Sequence, residues 1–285
     1  MRKTVFLLIA VGVLSSFAPP KVVWVAIGDS ITYLNNHQNE TGHRITRGYM
    51  TMLTEQLSDI EYVNKGYNGW TAGRIAAHID SLGLIKADVY SIFLGTNDWW
   101  VGRPLGTLDD YKNNTGNNTV YGSFRIIINK LRSLNKAAHI ILITPMQRVD
   151  FVYMNDTKNN AYGSYKDKKG QYLEQFANAI KEIGDFEHVD VIDLFHHQAL
   201  RHKKLVKFKR LKDPQTGLYK NFAYPNFINV PFNPETDDYP YPIESIDMTF
   251  DGLHPSDKGY RVITKQLLKP MKKWLETKQN VTYSN

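Results

Sequence analysis

The sequence predicts an α/β fold with a mostly parallel sheet, because apolar segments alternate with helical patterns along most of the chain. Residues 22–27 form a continuous, mostly β-branched apolar segment, which is typical of a strand buried on both faces. This segment ends abruptly at Gly28-Asp29-Ser30, where glycine permits a sharp turn. We therefore expect Ser30 at the carboxyl edge of the sheet, where open α/β sheets bind their ligands.

The later elements continue the same alternation. Short apolar segments predict further strands at 60–64, 88–94, 139–145 and 189–194. Apolar residues recurring every three to four positions predict helices at 48–57, 72–80, 120–134, 172–183 and 257–275. Ser256 is expected to cap the last helix, and the polar stretches 35–46 and 147–168 are predicted to be loops.

Residues 196–250 interrupt this alternation of strand and helix patterns. Within them, residues 204–211 and 218–224 flank a strong turn signal, Asp213-Pro214-Gln215-Thr216-Gly217. This pattern predicts a β-hairpin near 204–224, inserted before the last helix and followed by a loop rich in proline and tyrosine.

The amino terminus has the pattern of a secretory signal peptide. Arg2 and Lys3 precede an apolar segment at 5–14, and small residues follow it. The segment is short for a membrane span. We therefore predict a signal peptide at 1–18, a secreted or periplasmic protein, and a single domain over 19–285 with an insertion at about 196–250.

Composition excludes several kinds of site. The 285 residues include no cysteine, so disulfides, thiolate nucleophiles and cysteine-ligated metals are excluded. The histidines that might suggest a metal have spacings that match no metal-binding motif; they are His37, His43, His196 and His197. The net charge of +7 is concentrated in the basic stretch 201–212, but no nucleic-acid recognition motif accompanies it.

Residues able to carry acyl-transfer chemistry follow several predicted strands. Asp251 and His254 lie three positions apart just before a helix, and a serine nucleophile needs such a base with an orienting acceptor. The Ser30 N–H, the Gly69 N–H and the Asn97 side-chain amide are candidate donors to an oxyanion. Each motif alone is typical of an ordinary turn, but together they converge on one edge of the sheet.

These residues lie in blocks that resemble those of the SGNH, or GDSL, hydrolase family. The blocks are Gly28-Asp29-Ser30-Ile31-Thr32, residues 64–71, Gly95-Thr96-Asn97-Asp98 and Asp251-Gly252-Leu253-His254-Pro255. The resemblance implies a flavodoxin-like three-layer sandwich with a five-stranded sheet, and no metal or cofactor. It also implies that Ser30 is the nucleophile, His254 the base and Asp251 its partner, with Ser30, Gly69 and Asn97 forming the oxyanion hole.

The substrate is less constrained than the chemistry. Trp70, Trp99 and Trp100 each follow a candidate site residue, so we predict that they bind substrate through their flat rings. The loops at 35–46 and 224–245, expected around the site, are too polar for a long acyl chain. We therefore predict a serine esterase that removes short acyl groups, most often acetyl, from a small-molecule or polysaccharide ester. A lipase or thioesterase for longer acyl chains and a non-catalytic carbohydrate-binding protein remain alternatives.

Overall fold

A computed structural model describes residues 21–283. Its strands are β1 (Val22–Gly28), β2 (Ile60–Gly66), β3 (Val89–Phe93), β4 (His139–Ile143), β5 (Phe151–Val152), β6 (Asn160–Ala161), β7 (Asp190–Ile192), β8 (Lys209–Lys212) and β9 (Tyr219–Phe222). Its α-helices are α1 (Ser30–Tyr33), α2 (Tyr49–Thr54), α3 (Ala72–Ala77), α4 (Thr96–Trp100), α5 (Leu108–Lys112), α6 (Val120–Leu134), α7 (Leu173–Glu187), α8 (His202–Leu205) and α9 (Asp257–Tyr283).

The central sheet has five parallel strands in the order β2-β1-β3-β4-β7. This is the flavodoxin-like order, in which the chain reverses its direction across the sheet between β1 and β3. Because Gly28 pairs with both Gly66 and Phe93, the ends of β1, β2 and β3 lie level with one another. The fold prediction is therefore confirmed, and the switch point lies directly beside Ser30.

Helices cover both faces of this sheet, which explains why the central strand β1 is apolar without interruption. Trp24 and Ala26 of β1 belong to the core shared with α2 and α9. Val25 and Ile27 point the other way and pack with α3, α6 and α7. Alternation along a strand thus gives two separate cores and a three-layer sandwich.

The insertion contains the predicted hairpin, β8 and β9, but its strands are shorter than expected. Residues 202–205 form α8 instead, so the hairpin begins at Lys209. Lys209, although it belongs to the basic stretch 201–212, is buried and only 2% exposed. Its Nζ donates to Asp150 Oδ2 at 2.9 Å.

Two segments predicted as loops are more ordered than their polarity suggests. Two short 3₁₀ helices form at Leu34–Asn36 and Gln38–Thr41. Asn35 in the first is buried, and its Oδ1 accepts hydrogen bonds from Met50 N and Thr51 N at the start of α2. The segment 147–168 contains the antiparallel pair β5 and β6.

No helix within residues 21–283 is long and apolar enough to cross a membrane. The predicted signal peptide at 1–18 lies outside the described residues.

Candidate active site

Ser30 is the first residue of α1, directly beyond the end of β1. The turn requires Gly28, because a Cβ there would lie 2.1 Å from Thr32 Oγ1. Asp29 caps the helix through Oδ1, which accepts a hydrogen bond from Ile31 N at 3.0 Å. Asp29 is 2% exposed, and burial raises its pKa to about 6. The sharp turn thus places Ser30 at the edge of the sheet, as the sequence predicts.

Ser30, His254 and Asp251 form a continuous hydrogen-bonded chain. Ser30 Oγ lies 2.8 Å from His254 Nε2, and His254 Nδ1 lies 2.6 Å from Asp251 Oδ2. Asp251 and His254 are both buried, whereas Ser30 is half-buried. This is the arrangement of a nucleophile, a general base and an orienting carboxylate.

A tight turn holds the Asp251 carboxylate beneath the imidazole. Asp251 Oδ1 accepts hydrogen bonds from Leu253 N at 3.0 Å and from His254 N at 2.7 Å. Gly252 between them has a φ of +90°, and a Cβ there would lie 2.1 Å from Asp150 O. The Asp-x-x-His spacing therefore brings the two side chains together, because the Asp251 carboxylate both accepts the hydrogen bonds of the turn and contacts the His254 ring.

Asn97 and Gly69 lie on two neighbouring connections at the same edge. Asn97 is in α4, directly after β3, and its Nδ2 donates to Trp70 O at 3.0 Å. A primary amide has two N–H groups, so one remains for another acceptor. Gly69 has a φ of +71°, and no atom lies within 4 Å of a Cβ built there.

The buried Asp98 joins these two connections and was not singled out by sequence analysis. Asp98 Oδ2 accepts a hydrogen bond from Ala72 N at 2.8 Å, at the start of α3. Burial raises the pKa of Asp98, while these backbone donors and Arg103 favour its charged form. Its position next to Asn97 in the third block was the signal that could have identified it.

All five residues predicted to carry the chemistry line one cavity of about 350 Å³. They are Ser30, Gly69, Asn97, Asp251 and His254. Several apolar residues also line the cavity, among them Leu34, Phe151, Met154, Phe250 and Leu253. The rings of Phe151 and Phe250 also pack against the His254 imidazole, with centroids 5.4 and 5.8 Å away.

The tryptophans are only partly where the sequence places them. Trp100 lines the cavity, but Trp99 is completely buried and its Nε1 donates to Gln171 O at 2.9 Å. Consecutive helical residues project in different directions, so both could not face the same cavity. Trp70 stacks on Tyr67 rather than lining the cavity. Of the three tryptophans predicted to bind substrate, Trp70 and Trp99 are therefore wrongly placed, and Trp100 alone lines the cavity.

The cavity walls also differ from those expected. The stretch 35–46 contributes Glu40 and Thr41, whereas 224–245 contributes nothing to the lining. The segment 147–161 takes its place and supplies Arg148 as well as apolar residues. Arg148 is 2% exposed, and burial lowers its pKa to about 10. Sequence reasoning missed this residue because it treated 147–168 as a surface loop.

The residues that the structure describes, 21–283, contain no group of three or more histidine or acidic side chains able to hold a metal ion. His196 instead lies beside Asp193 and Glu174, with its Nδ1 2.9 Å from Asp193 Oδ2 and its Nε2 3.0 Å from Glu174 Oε1. The candidate site is thus made of the five residues above and the surrounding wall.

The chain matches the model of the GDSL-like lipase/acylhydrolase family over residues 26–262. It is similar to a crystal structure described as a possible lipase from Chitinophaga pinensis, with 60% identity and a TM-score of 0.88, covering 89% of this chain and 99% of that one. No curated protein matches the chain significantly.

Two more distant structures share the fold alone. One is a protein from Lactobacillus plantarum, at 19% identity and a TM-score of 0.57, which covers 91% of this chain and 99% of that one. The other is an acetyl xylan esterase at 21% identity and a TM-score of 0.50, covering 86% and 98%.

Proposed function

Since the chain belongs to the GDSL-like lipase/acylhydrolase family and is an ester hydrolase, we propose that it cleaves short-chain esters with a Ser30-His254-Asp251 triad. The observation that carries this proposal is the unbroken chain of contacts, 2.8 Å from Ser30 Oγ to His254 Nε2 and 2.6 Å from His254 Nδ1 to Asp251 Oδ2. Geometry of this kind allows the base to take the nucleophile's proton as attack occurs.

In the first half of the reaction, Ser30 Oγ attacks the ester carbonyl carbon while its proton passes to His254 Nε2. The carbonyl oxygen becomes an oxyanion, for which the donors are the Ser30 and Gly69 N–H groups and the free N–H of Asn97. His254 then returns the proton to the alkoxide as the C–O bond breaks. Alcohol leaves, and Ser30 carries the acyl group.

In the second half, water attacks the acyl-serine. His254 Nε2 takes a proton from the water, the same donors hold the new oxyanion, and collapse releases the carboxylic acid and restores Ser30. Asp251 orients the ring and stabilises the imidazolium through the hydrogen bond at Nδ1. The chemistry therefore needs only side chains and backbone groups of this chain.

The size of the cavity supports a small acyl group. Its volume of about 350 Å³ is at the lower end of ligand-binding cavities and must hold parts of both the acyl and alcohol groups. Trp100 adds an aromatic side chain to the lining, and Asn68 and Asn159 add amides. Aromatic faces and amides are suited to a sugar, so acetylated carbohydrate is the proposed substrate.

A lipid-directed esterase is the second candidate, and the apolar residues of the cavity lining favour it. Phe151, Met154 and Leu253 could bury a longer acyl chain, which gains about 0.8 kcal/mol for each CH₂ removed from water. The similar Chitinophaga protein is also described as a possible lipase. A non-catalytic binding protein is disfavoured because it has no need of the aligned triad.

The discriminating experiment measures kcat/KM for p-nitrophenyl acetate, butyrate and octanoate, together with acetate release from acetylated xylan and pectin. We expect the highest kcat/KM at acetate and measurable acetate release. A steady rise to octanoate with no acetate from either polymer would favour the lipid-directed enzyme. No turnover of any ester would favour the binding protein.

We also propose that the protein is secreted or periplasmic, as the amino-terminal pattern at 1–18 suggests. Amino-terminal sequencing of the protein recovered from the culture medium or the periplasm would test this. Loss of roughly the first 18 residues is expected, and an intact amino terminus in the cytoplasmic fraction would contradict it.

A further inference from the structure

Arg148 is a buried cation beside the reacting groups. It lies between β4 and β5, is 2% exposed and lines the same cavity as Ser30 and His254. The mechanism above gives it no task. Arginine is rarely buried to this extent unless an anion or several acceptors satisfy it.

The guanidinium of Arg148 is poorly satisfied by the protein. Its one side-chain hydrogen bond within the described residues is from Nη2 to Tyr162 O at 3.0 Å. Nε is buried without any acceptor in this part of the chain. No carboxylate of residues 21–283 lies within ion-pair distance of the guanidinium. A buried charge in this state is costly unless something else supplies acceptors.

The acidic groups nearby are already engaged. Asp150 accepts hydrogen bonds from Lys209 Nζ at 2.9 Å, from Gly163 N at 3.0 Å and from the Tyr165 hydroxyl. Asp251 is engaged by the His254 ring and by two backbone N–H groups of its own turn. These carboxylates lessen the cost of burying Arg148 through their charge, but neither is hydrogen-bonded to it.

Aromatic rings restrict how a further acceptor reaches the guanidinium. The Arg148 Cζ lies 5.0 Å from the centroid of Trp100 and 5.4 Å from that of Trp99. Cation–π contacts of this kind stabilise the cation but accept no N–H. The N–H donors lie in the guanidinium plane, where they match the two oxygens of a carboxylate.

We propose that Arg148 binds a carboxylate carried by the ester substrate, so that the enzyme prefers acidic esters such as those of uronic-acid sugars. This proposal rests on the proposed cleavage of esters at Ser30. Besides Asp251, the acidic residue in the cavity lining is Glu40, whose charge would oppose binding of an anion. Glu40 is half-buried and accepts a hydrogen bond from the Tyr33 hydroxyl at 2.9 Å. Solvent screens Glu40 more than Arg148, so Arg148 dominates the interaction with a bound anion.

Two pairs of matched esters test this and show which part of the substrate carries the carboxylate. The pair 3-acetoxybenzoate and methyl 3-acetoxybenzoate differs on the alcohol side. The pair mono-p-nitrophenyl succinate and p-nitrophenyl butyrate differs on the acyl side. For the wild-type enzyme we expect a higher kcat/KM for the acidic member of at least one pair, chiefly through a lower KM.

Arg148→Gln should reduce kcat/KM for that acidic ester by roughly 10-fold to 100-fold, the worth of a charge-assisted hydrogen bond. The same substitution should change kcat/KM for the matched neutral ester by less than about threefold. Arg148→Lys should retain part of the preference. Arg210→Gln removes an exposed arginine of β8 outside the cavity and should leave both rates unchanged.

A wild-type preference for the neutral member of both pairs would overturn the proposal without any variant, even if Arg148→Gln fails to fold. An equal loss on both members in folded Arg148→Gln would also overturn it and would assign the residue a positioning role for the triad. Hydrolysis of p-nitrophenyl butyrate without acidic preference would remove this inference but leave the proposed function intact. No hydrolysis of any of the four esters would contradict the proposed function itself.

Discussion

Replacement of Asp251 separates its proposed catalytic role from its structural role in the turn. Asp251 Oδ2 accepts a hydrogen bond from His254 Nδ1, while Oδ1 accepts bonds from Leu253 N and His254 N. Asp251→Asn keeps one carbonyl oxygen for the two backbone donors but presents an NH₂ group to the ring. The imidazole must then place its proton on Nε2, and it can no longer accept the proton of Ser30.

The two roles predict different magnitudes in two variants. Asp251→Asn should lower kcat by roughly 10⁴-fold, the loss expected when a triad histidine is held in the wrong tautomer, with little change in stability. Asp251→Ala should be as inactive, but it also leaves two buried N–H groups without acceptors. Each unpaired N–H group should cost about 1–3 kcal/mol, so Asp251→Ala should lose about 2–6 kcal/mol of unfolding free energy.

The assay is hydrolysis of p-nitrophenyl acetate, paired with urea denaturation of each variant. The tautomer argument fails if folded Asp251→Asn keeps more than about a tenth of the wild-type kcat. The structural role of Asp251 in the turn is contradicted if Asp251→Ala has the same midpoint of urea unfolding as the wild type.

Three further predictions concern the surroundings of the triad. Burial raises the Asp29 pKa from 3.8 to about 6, so Asp29→Asn should be about 3 kcal/mol more stable than wild type above pH 6 and equal to it below pH 4. Gly252→Ala places a Cβ 2.1 Å from Asp150 O and should lower both stability and activity, by about 1–3 kcal/mol for strain alone. Excess EDTA should leave p-nitrophenyl acetate hydrolysis unchanged, because in the proposed mechanism protein groups supply the oxyanion donors.

Each of these three predictions has a result that would contradict it. For Asp29, the unfolded chain loses its proton first as pH rises, so the stability advantage of Asp29→Asn over the wild type must grow between pH 4 and 6. A difference that stays constant or shrinks over this range would refute the burial argument. Gly217→Ala is the matched control for Gly252→Ala, since Gly217 has a φ of +71° but no atom within 4 Å of the added Cβ. Equal effects of both would mean the clash is unimportant. Recovery of EDTA-treated enzyme by zinc would contradict a metal-free mechanism.

The sheet and the turns that follow its strands could be predicted from the sequence because both depend on local patterns. Continuous apolar segments identify strands buried on two faces, and α6 begins and ends where its apolar spacing places it. The turn holding Asp251 and His254 is likewise local, since its hydrogen bonds join residues three apart or fewer.

The walls of the cavity could not be predicted because they depend on contacts between distant residues. The buried Lys209, for example, pairs with Asp150, which is 59 positions away in the sequence. Nothing near Arg148 in the sequence indicates that Trp99 and Trp100 pack against its side chain. The direction of each tryptophan also depended on how α4 packs, which the sequence pattern does not specify.

The most direct test of the account is the hydrolysis of p-nitrophenyl acetate by Ser30→Ala. Ser30 Oγ is the atom 2.8 Å from His254 Nε2, and its removal leaves the rest of the cavity in place. A folded variant should lose roughly 10⁴-fold to 10⁶-fold in kcat, the usual cost of deleting a triad nucleophile. Turnover close to that of the wild type, by a variant of unchanged stability, would contradict the assignment of Ser30 as the nucleophile.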